Sequence, residues 1–351
     1  MAIRLMLPSD LPRAAALWNE SVQAGETVLS PVTEEKLRAT FLDSPDYDGR
    51  YAFVWEEPQG VAGFIIGTAP KTFLPGETPE NTPGYLTCVF VQRACRGHGI
   101  GTALEEALAG AFRAAGKTRM VCDGNNDPIK LSWIVPGTPG HDHNKAPGMD
   151  VDCPGYPFLL ARGFAEKDRE IAMYLNLRDY IPWPGQQAKQ AELLGQGIYT
   201  GRYDPAWHCE FDRMCDRVGS EYWRFVIRSE MACHEAGCPN TDPRMLADPG
   251  RIPAGPRPML VAAHEGHLVA FTGPVDLQQS GRGWFCGIFT DPMYERRGIA
   301  SVLFHLLMQE FIAEGAAFST LFTGEHNHAQ RIYLRAGFRV VRTFAFMEKV
   351  L

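Results

Sequence analysis

The sequence predicts an α/β protein of the α+β type, built from two domains that each contain a mixed central sheet flanked by helices. The first reason is length, because 351 residues exceed the usual size of one domain. The second is a repeat: an apolar run, a glycine-containing turn and an amphipathic run occur in this order twice, with RGHGIG at 96–101 and ERRGIA at 295–300. The third is composition, since 45% hydrophobic and 21% charged residues are typical of a globular chain.

The first repeat has the pattern of a strand, a turn and a helix. Residues 86–91, LTCVFV, are continuously apolar and rich in strand-forming residues, which predicts a strand buried on both faces. After the turn, apolar residues recur at helical spacing, and Glu105 and Glu106 are expected on the opposite, polar side of that helix. Short strands predicted at 119–123 and 171–175 complete this half.

A Pro- and Gly-rich insertion at 134–157 makes the first half longer than the second. A loop of this length without its own periodicity is usually functional or disordered. His141, His143, Asp150 and Asp152 in this segment carry donor atoms that suit zinc, but they lack a recognisable ligand pattern. We therefore predict no metal site, and we expect the insertion to shape a substrate pocket or a contact between the halves.

The boundary between the halves is predicted from a change in composition. Residues 179–197 are polar and interrupted by Pro and Gly, which indicates a linker between an N-terminal domain at 1–178 and a C-terminal domain at 198–351. The C-terminal domain repeats the order of elements. Its predicted elements are strands at 259–264, 267–275, 284–290 and 319–323, a helix at 327–336 and a closing strand pair at 338–348.

Charge and hydropathy argue against two classes of partner. The formal net charge is −7, from 34 Lys and Arg against 41 Asp and Glu, which argues against a broad surface for nucleic acid. No apolar run is long enough to cross a bilayer, and the start, MAIRLMLPSD, lacks the features of a secretory signal. We expect a cytoplasmic protein, a monomer or a homodimer, that acts on a small molecule.

The nine cysteines favour free thiols over disulfide bonds. Cys88, Cys122 and Cys286 lie inside apolar runs, where a buried thiol is the usual state. Four further cysteines have loose spacing without the second CxxC of a zinc site: Cys209, Cys215, Cys233 and Cys238.

The glycine turns have a chemical meaning of their own. A turn that opens a helix leaves backbone N–H groups unpaired, and the helix dipole adds partial positive charge, so phosphates bind well at such places. Arg96 in the first turn, and Arg296 and Arg297 in the second, can add charged contacts. A tight connection without ligand is the alternative for either turn alone. Neither turn has the GxGxxG pattern of a dinucleotide site.

The motifs resemble one superfamily in both halves. The spacing Arg96-x-x-Gly99-x-Gly101 resembles the R/Q-x-x-G-x-G/A signature of the GNAT superfamily of acyl-CoA-dependent N-acyltransferases. In the second half, RRGIASVL followed by NHAQRIYLRAGF is similar to that signature and to the superfamily's downstream motif of Asn, Tyr and Gly-Phe. Together the matches span nearly the whole chain, so the sequence resembles a tandem GNAT protein with a GNAT-like domain in each half.

The resemblance implies direct transfer of an acetyl group from acetyl-CoA to the amine of a small molecule. It also implies backbone N–H groups near the thioester carbonyl and around the pyrophosphate. The implied cofactor-binding residues are Phe90, Val91, Arg96, Gly97, His98, Gly99, Ile100, Gly101 and Thr102 in the first half, and Phe289, Thr290, Arg296, Arg297, Gly298, Ile299, Ala300 and Asn327 in the second.

Two departures from the family pattern decide where we expect catalysis. Glu295 occupies the position of the family's Arg or Gln, and Leu159 stands in the first half where the second has Tyr333. We therefore predict Tyr333 as the general acid and Glu325 as the base. The other candidate bases are His326, His328 and Asp123. Catalysis in the N-terminal domain, a non-catalytic acyl-CoA sensor and a protein-interaction module remain alternatives.

Overall fold

The structure is a computed structural model that describes residues 2–73, 76–237 and 257–351. The chain forms two compact units. The first unit contains residues 1–172 with 324–326 and 341–351, and the second contains residues 173–323 and 327–340. Every helix in the described part of the chain is too short or too polar to span a lipid bilayer.

The first unit has a central sheet with helices on both faces. Its helices are α1 (Leu11–Gln23), α2 (Glu34–Leu37), α3 (Ile100–Ala114) and α4 (Gly155–Ala161). Its strands are β1 (Ala2–Leu5), β2 (Ala52–Glu57), β3 (Gly60–Thr68), β4 (Gly84–Val91), β5 (Arg119–Cys122), β6 (Trp133–Ile134), β7 (Asp142–His143), β8 (Met149–Asp150) and the start of β9 (Ala165–Asn176). Strands β1 to β4 are antiparallel neighbours, whereas β5 is parallel to β4.

The second unit repeats this plan. Its helices are α5 (Gln186–Gly195), α6 (Phe211–Val218), α7 (Glu221–Glu235), α8 (Ile299–Ala313) and α9 (Gln330–Arg335). Its strands are β10 (Ile198–Arg202), β11 (Leu260–His264), β12 (His267–Gly273), β13 (Asp276–Leu277), β14 (Arg282–Trp284), β15 (Gly287–Thr290) and β16 (Phe318–Gly324) up to residue 323. Strands β10, β11, β12 and β15 form an antiparallel sheet, and β14 is parallel to β16.

The last strand, β17 (Arg339–Val350), contributes most of its length to the first unit. It is antiparallel to β5, with Met347 opposite Cys122, and to β8, with Phe344 opposite Asp150. The sequence assigns these residues to the C-terminal domain. Strand pairing instead draws 341–351 into the first unit, so the compact units differ from the homologous halves, and the boundaries at 178 and 198 stay a prediction about the halves.

Apolar layers on both sides of the first sheet explain its stability. Leu17, Trp18 and Phe64 are buried on the side of α1, and Leu104 and Phe112 are buried on the side of α3. Full burial of such side chains contributes about 1.5 to 3 kcal/mol each.

The prediction for Glu105 on α3 is wrong, because its side chain is fully buried. Its carboxylate accepts hydrogen bonds from Arg162 at 3.0 Å and from Lys349 at 2.8 Å. A buried charge needs such partners. Lys349 lies on β17, so the helix periodicity alone gave no indication of this partner.

Other predicted elements differ in detail. Helix α5 lies within the segment expected to be a linker, and Gln186 at its start exchanges hydrogen bonds with Gln309 on α8. The strand expected at 284–290 is interrupted between β14 and β15, and the closing strand pair is one continuous strand, β17. Cys88 and Cys122 are buried free thiols as predicted, whereas Cys238 lies outside the described residues.

Candidate functional site

The first unit contains a cavity of about 640 Å³ where β4 and β5 separate. The two strands pair only at Gly84 with Met120 and at Tyr85 with Val121. Beyond this point β4 has a bulge at Thr87. On β3, Ile66 pairs with Cys88 and the next residue, Gly67, pairs with Leu86, so Thr87 has no partner in the ladder. A bulge bends its strand and increases the local twist. The bend is located where the strands part and the cavity opens.

The cavity wall brings together four parts of the first unit. Strand β4, the glycine turn, the end of β5 and the insertion all contribute to it. The predicted cofactor-binding residues that line the cavity are Phe90, Val91, Arg96, Gly97, Gly99, Ile100, Gly101 and Thr102. His98 is exposed, and its Nδ1 lies 3.4 Å from the Cys95 carbonyl oxygen.

The first glycine turn has the geometry of an anion site. Gly97 and Gly99 have φ angles of 78° and 83°, which disfavour side chains larger than hydrogen. A Cβ atom built on either glycine would meet no atom within 4 Å, so the space in front of the turn is open. Helix α3 begins directly afterwards at Ile100, and its first N–H groups have no partner within the helix. The turn therefore fits a pyrophosphate group.

The Arg96 side chain makes contacts within the protein. Its Nε donates to the Val91 carbonyl at 3.0 Å, and its Nη2 donates to Glu26 at 2.7 Å. Arg93 pairs with the same carboxylate at 2.9 Å. The hydrogen bond from Arg96 lowers the pKa of Glu26. Arg96 thus holds the turn against β4, and its predicted contact with phosphate stays a prediction.

Asp127 is a buried carboxylate in the cavity wall, with only 3% of its surface exposed. Its Oδ1 accepts hydrogen bonds from the Thr68 hydroxyl at 2.7 Å and from the Ile129 N–H at 2.9 Å. Burial raises the pKa of Asp127 to about 6, and hydrogen bonds from Thr68 and Thr87 oppose this rise. A carboxylate with a pKa in this range can accept a proton near neutral pH.

Local sequence patterns do not indicate a role for Asp127, because its partners are distant in the chain. Thr68 is 59 residues away on β3. The only local signal is its position in the sequence DGNNDP, a few residues after the strand that ends at Cys122. That signal is also typical of an ordinary turn.

The insertion supplies one side of the cavity. Gly148, Met149, Asp150, Cys153 and Pro154 line it. The Asp150 carboxylate accepts a hydrogen bond from the Asp152 N–H at 3.0 Å, and burial raises its pKa.

Residues of the insertion that carry metal-binding donor atoms have other partners. The His143 ring stacks on Trp133 at 5.8 Å, and Asp152 pairs with Arg342 at 2.6 Å. Within residues 2–73, 76–237 and 257–351, no group of three or more His, Cys, Asp and Glu side chains is placed to hold a metal ion.

The second turn follows the same backbone path with different side chains. Arg296 has a φ of 60° and Gly298 a φ of 86°, and helix α8 begins at Ile299. A Cβ atom on Gly298 would lie 3.3 Å from Cδ of Lys189, so a side chain of α5 covers this turn. Glu295 is exposed, and the Arg297 guanidinium lies 5.1 Å from the Tyr294 ring centroid.

Tyr333 lies on α9 in the second unit and is 5% exposed. Its ring packs against Phe304 and Phe338, with centroid distances of 4.9 Å and 6.2 Å. Burial raises the pKa of Tyr333 to about 12, so the phenol is protonated at neutral pH. Glu325 is exposed and belongs to the first unit, where its N–H donates to the Arg169 carbonyl at 3.1 Å. The predicted acid and base therefore belong to different units.

The remaining predicted residues of the second half lie on β15 and before α9. The Phe289 ring packs against Trp223 at 5.5 Å. The Thr290 hydroxyl is buried without a hydrogen-bond partner among the described residues. The Asn327 side chain accepts a hydrogen bond from the Ala329 N–H at 2.9 Å and so supports the start of α9. Ala300 stands in the first turn of α8.

The model of the acetyltransferase (GNAT) family matches the sequence twice, at residues 16–131 and 223–338. The chain belongs to the GNAT acetyltransferase family. It is a tandem GNAT protein, and its predicted mixed α/β fold is confirmed in both regions. The first match contains the first glycine turn and Asp127, and the second contains the second turn and Tyr333.

Solved structures of similar fold include other long GNAT chains. The GCN5-related N-acetyltransferase from Sphaerobacter thermophilus has a TM-score of 0.58 at 17% identity, with 99% of this chain and 95% of that chain covered. A tandem GNAT protein from the clavulanic acid biosynthesis pathway has a TM-score of 0.53 at 14% identity, with 99% and 98% covered. No curated protein sequence matches the chain.

A third structure is longer than this chain. It is a fungal multi-domain GH3 beta-N-acetylglucosaminidase with a glucosamine N-acetyltransferase region, and it has a TM-score of 0.63 at 16% identity. The match covers 99% of the tandem GNAT protein and 38% of the fungal chain. At these identities the likeness concerns the fold. The tandem GNAT protein is an N-acetyltransferase by family, and this family typically uses acetyl-CoA.

Proposed function

We propose that the first unit transfers an acetyl group from acetyl-CoA to the amine of a small molecule inside the cavity. The observation that carries this proposal is the composition of one cavity wall. It contains the glycine turn, the diverging part of β4 and the buried carboxylate of Asp127. An anion site, a strand edge and a base are the three parts that such a transfer needs.

Two backbone segments hold and polarise the acyl donor. The N–H groups from Gly97 to Thr102 bind the pyrophosphate, since Gly97 and Gly99 leave the space before them open. Beyond Tyr85, β4 has no described pairing with β5. N–H groups on this edge donate to the thioester carbonyl oxygen and stabilise the negative charge that develops there.

Asp127 accepts the proton of the amine. The neutral nitrogen attacks the thioester carbon, a C–N bond forms, the C–S bond breaks, and the amine proton passes to the Asp127 carboxylate. The thiolate leaves and takes up a proton from water, because the position of the family's tyrosine holds the fully buried Leu159. A positioned base of this kind typically contributes about 10²- to 10⁴-fold in rate.

The same reaction in the second unit is the second candidate. The observation that favours it is Tyr333, a nearly buried phenol that is protonated at neutral pH. A protonated phenol could supply the proton that the thiolate takes up. That turn differs from the open first turn in two ways. The Lys189 side chain covers Gly298, and Arg296 adopts a positive φ.

Two nearly isosteric variants separate the two locations. Asp127→Asn keeps an oxygen for Thr68 and the Ile129 N–H but cannot accept a proton, so kcat should fall by about 10²- to 10⁴-fold with acetyl-CoA binding retained. Tyr333→Phe is the matched control and should lose less than about threefold. Thiol release with a panel of amines measures turnover, and calorimetry measures acetyl-CoA binding.

The opposite result would move catalysis to the second unit: full kcat for Asp127→Asn with a large loss for Tyr333→Phe. Acetyl-CoA binding without turnover on any amine would favour the sensor alternative.

A further inference from the structure

The ionisable groups that line the cavity are mainly acidic. The acidic residues in the wall are Glu26, Asp123, Asp127 and Asp150, and the basic residue is Arg96. Glu26 is matched by Arg93 and Arg96, with distances of 2.9 Å and 2.7 Å. Two arginines against one carboxylate leave a net positive charge at the glycine turn, and the acidic excess belongs to the part formed by β5 and the insertion.

Two of the other carboxylates have no ion pair among the described residues. Asp123 accepts hydrogen bonds from the Asn125 N–H at 3.0 Å and from the Asn126 side chain at 2.7 Å. Asp127 is bonded to Thr68 and Ile129. The hydrogen-bond donors of both groups are neutral, and the charge of the Lys130 ammonium offsets part of their negative charge.

Lys130 and Arg342 are cations near these carboxylates. The Lys130 ammonium donates to backbone carbonyls, at 2.8 Å to Asn125 and 3.2 Å to Gly124. It also donates to the Asp127 backbone carbonyl, and although Lys130 is not part of the cavity wall, its charge interacts with Asp123 and Asp127. Arg342 lies 3.7 Å from Asp150 but 2.6 Å from Asp152, so its shorter contact is outside the cavity.

Apolar side chains complete the cavity wall. Leu29, Ile129, Leu131 and Phe344 line it together with the carboxylates. Such a wall suits an alkyl chain, and the carboxylates suit the cationic group at its end. An anionic acceptor would meet unpaired carboxylates in a partly desolvated space, which is unfavourable.

We propose that the acceptor is a small alkyl diamine, whose protonated second amino group binds Asp123 and Asp150 while its reacting amine, in the neutral form, faces Asp127. The apolar wall contacts the alkyl chain between the two nitrogens. This inference rests on the proposed function of the cavity and adds the substrate class to it.

Three acceptors with the same carbon chain test the charge requirement on the unaltered protein. Cadaverine ends in an ammonium group, pentylamine in a methyl group and aminovalerate in a carboxylate. We expect kcat/KM for cadaverine to exceed that for pentylamine by about tenfold or more, with aminovalerate the poorest. Equal values for cadaverine and pentylamine, or a preference for aminovalerate, would overturn the inference.

A pair of charge-matched variants locates the recognition. Asp150→Asn should reduce the cadaverine-to-pentylamine ratio of kcat/KM by about tenfold, mainly through KM. Asp168→Asn removes the same charge from an exposed position of the first unit outside the cavity, and its ratio should equal that of the unaltered protein. If Asp150→Asn does not fold, Asp123→Asn is the variant to measure. An unchanged ratio in folded Asp150→Asn and Asp123→Asn would contradict the proposed contacts.

These outcomes remain distinct from failure of the proposed function. Pentylamine turnover that is lost in Asp127→Asn, without any preference for cadaverine, would reject only the substrate class. Full turnover in Asp127→Asn would reject the proposed site in the first unit.

Discussion

The two glycine turns have closely similar backbones and face different surroundings. Gly97 and Arg296 have φ angles of 78° and 60°, and Gly99 and Gly298 have φ angles of 83° and 86°. The first turn opens onto a cavity of about 640 Å³. The second is covered by the methylene groups of Lys189, as close as 3.3 Å to a Cβ position on Gly298.

The packing of a strand glycine against a phenylalanine ring is also repeated in the two units. Gly84 at the start of β4 leaves room for the Phe112 ring, and Gly283 on β14 leaves room for Phe311, because a Cβ on either glycine would lie 2.6 Å from the ring. Gly84 pairs with Met120, as Gly283 pairs with Ser319.

The side chains that face the separated strands have diverged. Counted from these parallel pairs, Asp123 in the first unit corresponds to Phe322 in the second. Likewise Leu159 corresponds to Tyr333, counted back from the Gly-Phe pair. The two units thus share the backbone of the turn and differ in a few side chains around it, and the proposed chemistry of the first unit depends on those side chains.

The largest expected effect on kcat/KM comes from a glutamate substitution in the first turn, and the same substitution in the second turn is its matched control. Gly99→Glu places a side chain and a negative charge at a φ of 83°, in front of the N–H groups that we propose bind phosphate. We expect kcat/KM to fall by more than about 100-fold, since a positioned anion site is lost. Gly298→Glu should change kcat/KM less than about threefold. Steady-state kinetics and calorimetric stoichiometry of CoA binding provide the measurement.

Circular dichroism of both variants controls for folding, because each introduces a side chain at positive φ. Equal losses of kcat/KM in the two folded variants would mean that both turns serve the reaction.

A smaller effect is expected from pH, through Asp127. Its pKa is raised to about 6, so the proposed base is protonated below that pH and kcat/KM should fall by about tenfold per pH unit. The raised pKa also affects stability. Protonated Asp127 favours the folded state at pH below about 4, and this stabilisation is lost as pH rises through about 6. Asp127→Asn should therefore be more stable than the unaltered protein at pH 7, by roughly 2 to 3 kcal/mol.

Denaturant unfolding at pH 5 and pH 7 tests this linkage, and the gain of Asp127→Asn should be smaller at pH 5. A loss of stability at pH 7 would show that the carboxylate is favourably paired in the folded protein. A pH profile without a decrease near pH 6 would remove Asp127 as the base.

Local patterns in the sequence were sufficient for the frame of each half. The apolar run at 86–91 and the glycines at 97 and 99 predicted β4, the turn and the start of α3, because short-range periodicity and backbone sterics determine those elements. The GNAT motifs then indicated both domains. Glycine spacing could not show that a Lys189 side chain covers the second turn, since this contact depends on the packing of α5.

Long-range contacts were the part that the sequence did not reveal. Glu105 is buried because Lys349 reaches it from the last strand, and Asp127 is held by Thr68 on β3. Neither partner is near in sequence, so hydrophobic periodicity cannot predict these contacts. The expected catalytic role of Tyr333 rested on a family motif, and that role stays a prediction.

The smallest effect concerns the residue that distinguishes the two turns. Arg296 adopts a φ of 60°, a conformation that costs a side-chain-bearing residue about 1 to 2 kcal/mol. Arg296→Gly removes this strain, but glycine gains more conformational freedom in the unfolded chain, which offsets about 0.5 to 1 kcal/mol. We expect a net gain of about 0.5 to 1 kcal/mol in the free energy of unfolding, measured by urea denaturation. The reciprocal change, Gly97→Arg, should lose a similar amount and also weaken CoA binding, because its side chain enters the open space before the first turn. A loss of stability in Arg296→Gly would show that contacts of the arginine outweigh its strain. Unaltered CoA affinity in Gly97→Arg would contradict the assignment of the first turn as the phosphate site.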